Sequence, residues 1–418
     1  MKPLFLLLPL AAIVSAAELP RSADAFVDSV GVNTHFSYTD SVYYLNFPLV
    51  KQALLDLKVR HIRDGLHDYG QGPSPVYDIH NQLAQAGIRC DYVVGESTSP
   101  SVVSNYPSVV NDVEALENAN EADAPGGTAW VPGLLNEISW LWPLAHSMHV
   151  PIVGPALIDQ TWWNANNSYQ LLGDISSSIT VNNLHNYLGS YNPETLGWGG
   201  GCTPGGYCYG SIPWNMSQAN IDGPGVPIWT TENGYTMVST SSGAVPETVY
   251  ATYMPRLLLS QWNAGIRRTY IYELADEPST VCCMGLLDAK GNRRTPFTAM
   301  SNLLRLLSDQ GHSFSLTPLD YTISGAPDGL QHTLLQKHDG TYWLALWLGA
   351  QTMDPHTHAM LAVPNVPITV TWKGNSLGYR VLKFDGSGNV ATSAHFNGSS
   401  AQLNVGTNVL LLKIAMAL

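Results

Sequence analysis

Two acidic residues stand where strand-like apolar runs end. Glu121 lies in Glu117-Asn118-Ala119-Asn120-Glu121-Ala122-Asp123, and Glu232 follows Ile228-Trp229-Thr230-Thr231. Carboxyl groups carried to one cleft by different strands can divide acid and nucleophile work at one carbon. Hydrolysis of a glycosidic bond with retention needs such a pair, about 5–5.5 Å apart. A single Glu after a strand is common, so the weight rests on the constellation. Arg63 ends a second apolar run, His185 and Tyr187 a sixth, His35 the first and Glu273 the eighth. Trp162 and Trp163 follow the fifth run, and Trp198 and Trp214 lie in a long Gly-rich connection. Indole faces stack well on the C–H faces of sugars. The chain holds 12 Trp and 20 Tyr against 8 Phe, a skew toward rings with a polar edge.

The elements that must position these residues alternate. Strand-length runs span 29–36, 61–65, 89–95, 112–118, 150–157, 181–188, 227–232 and 268–274. Between them, apolar residues recur at helical spacing over 44–57, 76–86, 130–148, 249–263 and 298–307. Strand–helix alternation implies a parallel sheet covered by helices, and eight units imply closure into a (β/α)8 barrel. Active residues of such barrels sit at the C-terminal ends of the strands, where the residues above fall. Beyond about residue 310 the texture becomes short strands and turns, over 331–336, 342–348, 368–373, 379–385 and 409–414. This implies a small all-β sandwich. The expected organisation is an export signal at 1–17, a catalytic barrel at 18–310 and a β-sandwich at 311–418. The short segment after the signal is placed to join the sandwich. The connection 189–224 reads as a long loop on the functional face of the barrel.

With these residues placed, the chain resembles clan A of the glycoside hydrolases. That clan carries an Asn-Glu pair after strand four and a Glu after strand seven. Asn120-Glu121 and Glu232 match, 111 residues apart. The resemblance implies that Glu121 is the acid/base, Glu232 the nucleophile and Asn120 the holder of the sugar 2-hydroxyl. Glu117 competes with Glu121, which is preferred because Asn120 immediately precedes it. The resemblance also implies that Arg63 bonds the nucleophile carboxylate and keeps it ionised. His185-Asn186-Tyr187 is similar to the clan's His-x-Tyr, whose Tyr hydroxyl holds the nucleophile and whose His lines the sugar site. Barrel plus sandwich is similar to families 39, 30 and 5, but Asn118-Ala119-Asn120-Glu121-Ala122 departs from the Gly-Pro-Asn-Glu-Pro frequent in family 39. The clan is therefore indicated and the family is not. No cofactor is required by this mechanism.

Composition narrows the rest. Charged residues make up only 12% against 45% hydrophobic, which argues against disorder. A net charge of −13 argues against a nucleic-acid partner. Lys2, the apolar run 4–14 and Val14-Ser15-Ala16 read as a cleaved export signal ending after Ala16 or Ala17, giving a secreted or periplasmic protein without a membrane anchor. Cys202 and Cys208 can close a small loop, and Cys90 reads as a core thiol. Two other readings stand beside the enzyme. A catalytically silent carbohydrate-binding barrel would keep the aromatic platforms. A metal-dependent barrel hydrolase would need His-x-His at the end of strand one, but His356-Thr357-His358 lies in the β region.

Overall fold

The computed structural model describes residues 14–70, 72–95, 97–158, 167–199, 201–238, 241–278 and 283–417. Eight parallel strands form one sheet: Val30–Asn33, His61–Gly65, Arg89–Val93, Val113–Glu117, Ile152–Val153, Asn182–His185, Ile228–Asn233 and Arg268–Ile271. They are called strands one to eight below. The sheet runs in the order five-four-three-two-one-eight-seven-six, and a parallel bridge between Val153 and Val181 joins its two edges into a barrel. Each expected run overlaps an observed strand, and the seventh strand ends one residue later than expected, at Asn233.

The helices outside explain their own boundaries. Pro75–Gln85 starts on Ser74, whose side chain accepts from the Val76 amide, with Pro75 at a position where a missing N–H costs nothing. Thr295–Leu307 buries Phe297, Met300, Leu303, Leu304 and Leu307 along one face. Glu247–Asn263 is buried nearly all round, because it packs on the barrel and also lies beneath the β domain. The connection 189–224 departs from the expected loop, since Ile212–Asp222 forms a helix. Ser211 caps it by accepting from the Trp214 amide, while the weak apolar periodicity of the segment hid it.

The β region forms two sheets. One pairs Val14–Glu18, Leu319–Ser324, Val366–Trp372 and Ser400–Val405. The other runs Val390–Thr392, Ser376–Phe384, Leu410–Met416, Tyr342–Leu348, Leu330–Gln336 and Arg21–Ser22. Tyr342–Leu348 is buried on both faces. Leu344, Leu346 and Leu348 meet the first sheet, while Trp343, Ala345 and Trp347 join the barrel's core. The fold is therefore a (β/α)8 barrel with an attached β-sandwich. Val14–Glu18, where the export signal was expected to end, pairs as an edge strand with Leu319–Ser324.

One ion pair ties the parts together. Arg256, from the Glu247–Asn263 helix, donates from Nε to Glu194 Oε1 at 3.1 Å and also bonds its second carboxylate oxygen. Trp347 of the β-sandwich donates its indole N–H to Glu194 Oε1 at 2.6 Å. Glu194 belongs to the connection after strand six, so barrel helix, functional-face loop and sandwich meet at one carboxylate whose side chain is 7% exposed.

Candidate active site

Arg63 organises the C-terminal mouth of the barrel. It points inward from strand two and uses all five of its N–H donors. Its Nε and one Nη hold Glu117 at 2.9 and 2.7 Å. The remaining donors reach Asn33 at 2.9 Å, Glu232 at 2.8 Å and Asn120 at 2.7 Å. A guanidinium buried this deeply costs much unless paired, and two carboxylates with two amide oxygens supply the pairing. Burial opposes its charge, but Glu117 and Glu232 raise its pKa, so it stays protonated.

Glu117 has no exposed surface. It is committed to Arg63 and to the Thr231 hydroxyl at 3.3 Å, so it supports the site from below. Four residues on, Glu121 has left the strand and its carboxyl is open to the cleft, with 30% of the side chain exposed. Its backbone takes φ +47, a left-handed conformation uncommon outside glycine. Contacts on either side hold it there: the Ala119 amide donates to Glu137 of helix Trp130–Met148 at 2.7 Å, and the Glu121 amide donates to Ala156 O at 3.2 Å.

Glu232, at the end of strand seven, accepts from Arg63 on Oε1 and from the Tyr187 hydroxyl on Oε2 at 2.7 Å. Burial would raise its pKa, but His185 and Arg63 charges and the Tyr187 bond outweigh burial and hold it below the usual carboxylate range. His185 Nδ1 stands between the two acids, 2.7 Å from Glu121 Oε1 and 3.6 Å from Glu232 Oε2. One oxygen of each carboxylate and this nitrogen lie within 4.8 Å of one another.

His35 and Glu273 share the rim but differ in role. His35 lines a cleft of about 240 Å³ together with Asn33, Tyr38, Arg63, Asn120 and Glu232. Its ring stacks on Tyr38, centroids 4.9 Å apart. Glu273 lies behind it, 3.5 Å from His35 Nε2. Burial first, then the Glu277, Asp276 and Glu232 carboxylates, push Glu273 up to about 9, while burial pulls His35 down. Both shifts run toward the uncharged form of the group.

The cleft continues past Glu121 into a second hollow of about 470 Å³, which shares Gly65, His67, Val93 and Asn120 with the first. The structure thus brings together Glu121, Glu232, Asn120, Arg63, His185, Tyr187 and His35, with Glu273 one layer back. Trp162 and Trp163 lie outside the described residues. Trp214 is buried, its indole bonded to Gly201 O at 3.2 Å, and cannot meet a sugar as the sequence suggested. Trp198 lines a different cavity, considered below. Asp64, His67, Tyr38 and Tyr272 also line the cleft and were not foreseen. Asp64 stood next to Arg63 in the sequence, and its carboxylate accepts from Thr34 Oγ1 and from the Phe36 and Gly65 amides.

Glu121, His185 and Glu232 have the donor types of a metal site. A dication there would sit against the Arg63 charge 2.8 Å from Glu232, which makes the trio a poor cation site.

No family model matches the chain, and no curated protein does. Solved structures do resemble it. A family 39 glycoside hydrolase from Bacteroides cellulosilyticus WH2 aligns at TM-score 0.62 and 13% identity, over 95% of this chain and 83% of that one. A family 51 arabinofuranosidase from Xanthomonas axonopodis pv. citri aligns at TM-score 0.60 and 10% identity, over 97% and 100%. An endo-β-1,6-glucanase aligns at TM-score 0.50 and 11% identity, over 96% and 93%. At these identities the likeness is one of fold: the chain resembles clan A architectures, with no one family resolved.

Proposed function

We propose that this protein is a retaining glycoside hydrolase acting on β-linked glycans. The observation that carries the reading is the pair Glu121 and Glu232, with oxygens within 4.8 Å across one cleft. Inverting enzymes keep their carboxyls about 6.5–9.5 Å apart to admit a water between them, and oxygens this near one another support the retaining reading instead. The environments also divide the labour. Glu232 is held ionised by Arg63 and Tyr187, as a nucleophile must be. Glu121 is partly exposed at the mouth, where a leaving group departs.

In the first step Glu232 attacks the anomeric carbon while Glu121 protonates the departing glycosidic oxygen. A covalent glycosyl–enzyme ester forms. In the second, Glu121 takes a proton from water, which attacks the same carbon and frees Glu232. Asn120, fixed by Arg63, faces the cleft where the sugar 2-hydroxyl would lie. The chain is further proposed to be exported, with residues 1–17 as the signal, 18–310 as the catalytic unit and 311–418 as the sandwich. Among the described residues no helix is long and apolar enough to cross a membrane.

The test is hydrolysis of a panel of aryl β-glycosides and polysaccharides by wild type, Glu121→Ala and Glu232→Ala. Wild type is expected to cleave at least one substrate with retained anomeric configuration. Glu121→Ala should lose about 10²–10⁴-fold on unactivated substrates, the range for general acid–base groups, and Glu232→Ala more. Folded variants that cut as well as wild type would overturn the assignment. An inverted product would sink the two-step mechanism.

A further inference from the structure

A second cavity, of about 640 Å³, opens where the barrel's functional face meets the β-sandwich. Three stretches build it: Gly189, Ser190, Tyr191 and Trp198 from the strand-six connection, Ser241–Gly243 after strand seven, and Pro355–His358 from the β-sandwich. The first two stretches follow strands six and seven, near whose ends Tyr187 and Glu232 lie. A Cβ on Gly243 would lie 3.6 Å from Gly189 Cα, so the two connections touch at the cavity wall.

The aromatic part is held by several contacts. Tyr191 and Trp198 stack with centroids 4.6 Å apart and planes 15° from parallel. Gly210 backs the indole, since a Cβ there would fall 2.3 Å from the Trp198 ring. Trp198 N–H bonds Tyr209 O at 2.9 Å, Cys208 N–H bonds Leu196 O at 2.7 Å, and the Cys202–Cys208 disulfide closes the loop. Across from it, His356 Nε2 meets the Tyr191 hydroxyl at 3.3 Å, and His358 Nε2 lies 3.1 Å from Ser242 O. Ser190 Oγ donates to Pro355 O at 3.0 Å, pinning barrel to sandwich. No Asp, Glu, Lys or Arg is among the lining residues described. An uncharged hollow with an aromatic stack, hydroxyls and imidazoles matches a neutral sugar, with apolar ring faces and a rim of hydroxyls. Being fixed before binding, the stack loses little freedom on contact.

We propose that this cavity is a distal subsite that holds a neutral sugar unit of a polysaccharide whose scissile bond lies at Glu121 and Glu232. The ligand class rests on the glycosidase reading. The Tyr191–Trp198 stack supplies the platform, and the His-x-His segment of the sandwich supplies polar contacts. The β-sandwich thereby takes part in substrate binding.

The test uses the full chain in the Glu232→Gln background, which leaves polymers uncut, and affinity electrophoresis in gels holding soluble β-1,3-glucan, β-1,6-glucan, arabinoxylan or galactomannan. At least one polymer should retard the protein. Tyr191→Ala should weaken that retardation fivefold or more, and Tyr191→Phe should keep most of it. Ser242→Trp fills the cavity from the opposite wall without altering the stack, and should weaken binding as Tyr191→Ala does. The proposal falls if no gel retards the protein, or if Ser242→Trp and Tyr191→Ala bind as tightly as their parent. Aryl β-glycosides cleaved by wild type in that case would leave the catalytic reading intact. Retardation abolished by Ser242→Trp, in a wild type that cleaves nothing, would keep the cavity and overturn the catalytic reading.

Discussion

The ionisation of Glu232 depends on a few named bonds, and Tyr187 offers the cleanest way to disturb it. Its hydroxyl donates to Glu232 Oε2 at 2.7 Å, and a bond to a charged acceptor is worth about 1.5–3 kcal/mol. Tyr187→Phe removes that donor and keeps the ring. In the proposed mechanism Glu232 acts as the carboxylate, and its pKa is depressed, so wild-type activity should persist below the usual carboxylate range before falling with acid. In the variant the pKa rises, and the acid limb of the kcat/KM profile should move to higher pH, with kcat lowered roughly 10- to 100-fold. An acid limb that stays in place would mean that another group sets it.

At the scale of elements, the strand-six connection contributes to the same face as the strand ends. Cys202 and Cys208 close a short loop in the segment that carries Trp198. Restricting so small a loop in the unfolded chain is worth about 2 kcal/mol. The double Cys202→Ser, Cys208→Ser variant should lose about that much in denaturant unfolding, while turnover of a short aryl glycoside changes little, because Arg63 and Tyr187 hold Glu232 independently of the loop. Equal stability of the two proteins would show that the loop is already restrained without the bridge.

For the whole molecule, barrel and sandwich are joined at a shared charge. Glu194→Ala leaves Arg256, which is fully buried, without its carboxylate, and breaking a buried pair costs about 3–5 kcal/mol. That loss should appear as a single lowered midpoint if the two parts unfold together, and as two separate transitions if Glu194 is what couples them. The pH dependence has an identifiable contributor too. Glu273 titrates near 9 when folded against an ordinary 4.5, so the folded state binds more protons than the unfolded one between those values. Stability should therefore fall as pH rises through that window. Glu273→Gln, neutral throughout, should show a shallower fall in Tm from pH 5 to pH 9. A slope unchanged from wild type would assign the effect to other buried carboxyls such as Asp222, which titrates near 8.

Much of this was legible in the linear chain for a definite reason. Strand period and helical period are local, so eight strands, their order of use and the residues at their ends could be read directly. Arg63, Glu232, His185 and Tyr187 carry that positional information in their neighbours. The choice between Glu117 and Glu121 is different: both follow apolar residues, and only the packed barrel shows Glu117 sealed beneath Arg63 and Glu121 turned out at φ +47. Likewise Trp198 and Trp214 look equivalent in sequence, yet one meets a cavity and the other is a buried residue of a helix whose periodicity was too weak to see. Glu194 with Arg256 and Trp347, and Tyr191 with His356, are pairs separated by 62 to 165 residues. By itself the sequence determined the barrel and the short list of acids at its strand ends, because both depend on short-range pattern. Burial, charge state and the second cavity were decided by tertiary structure, since each depends on which distant side chains exclude water from a given group.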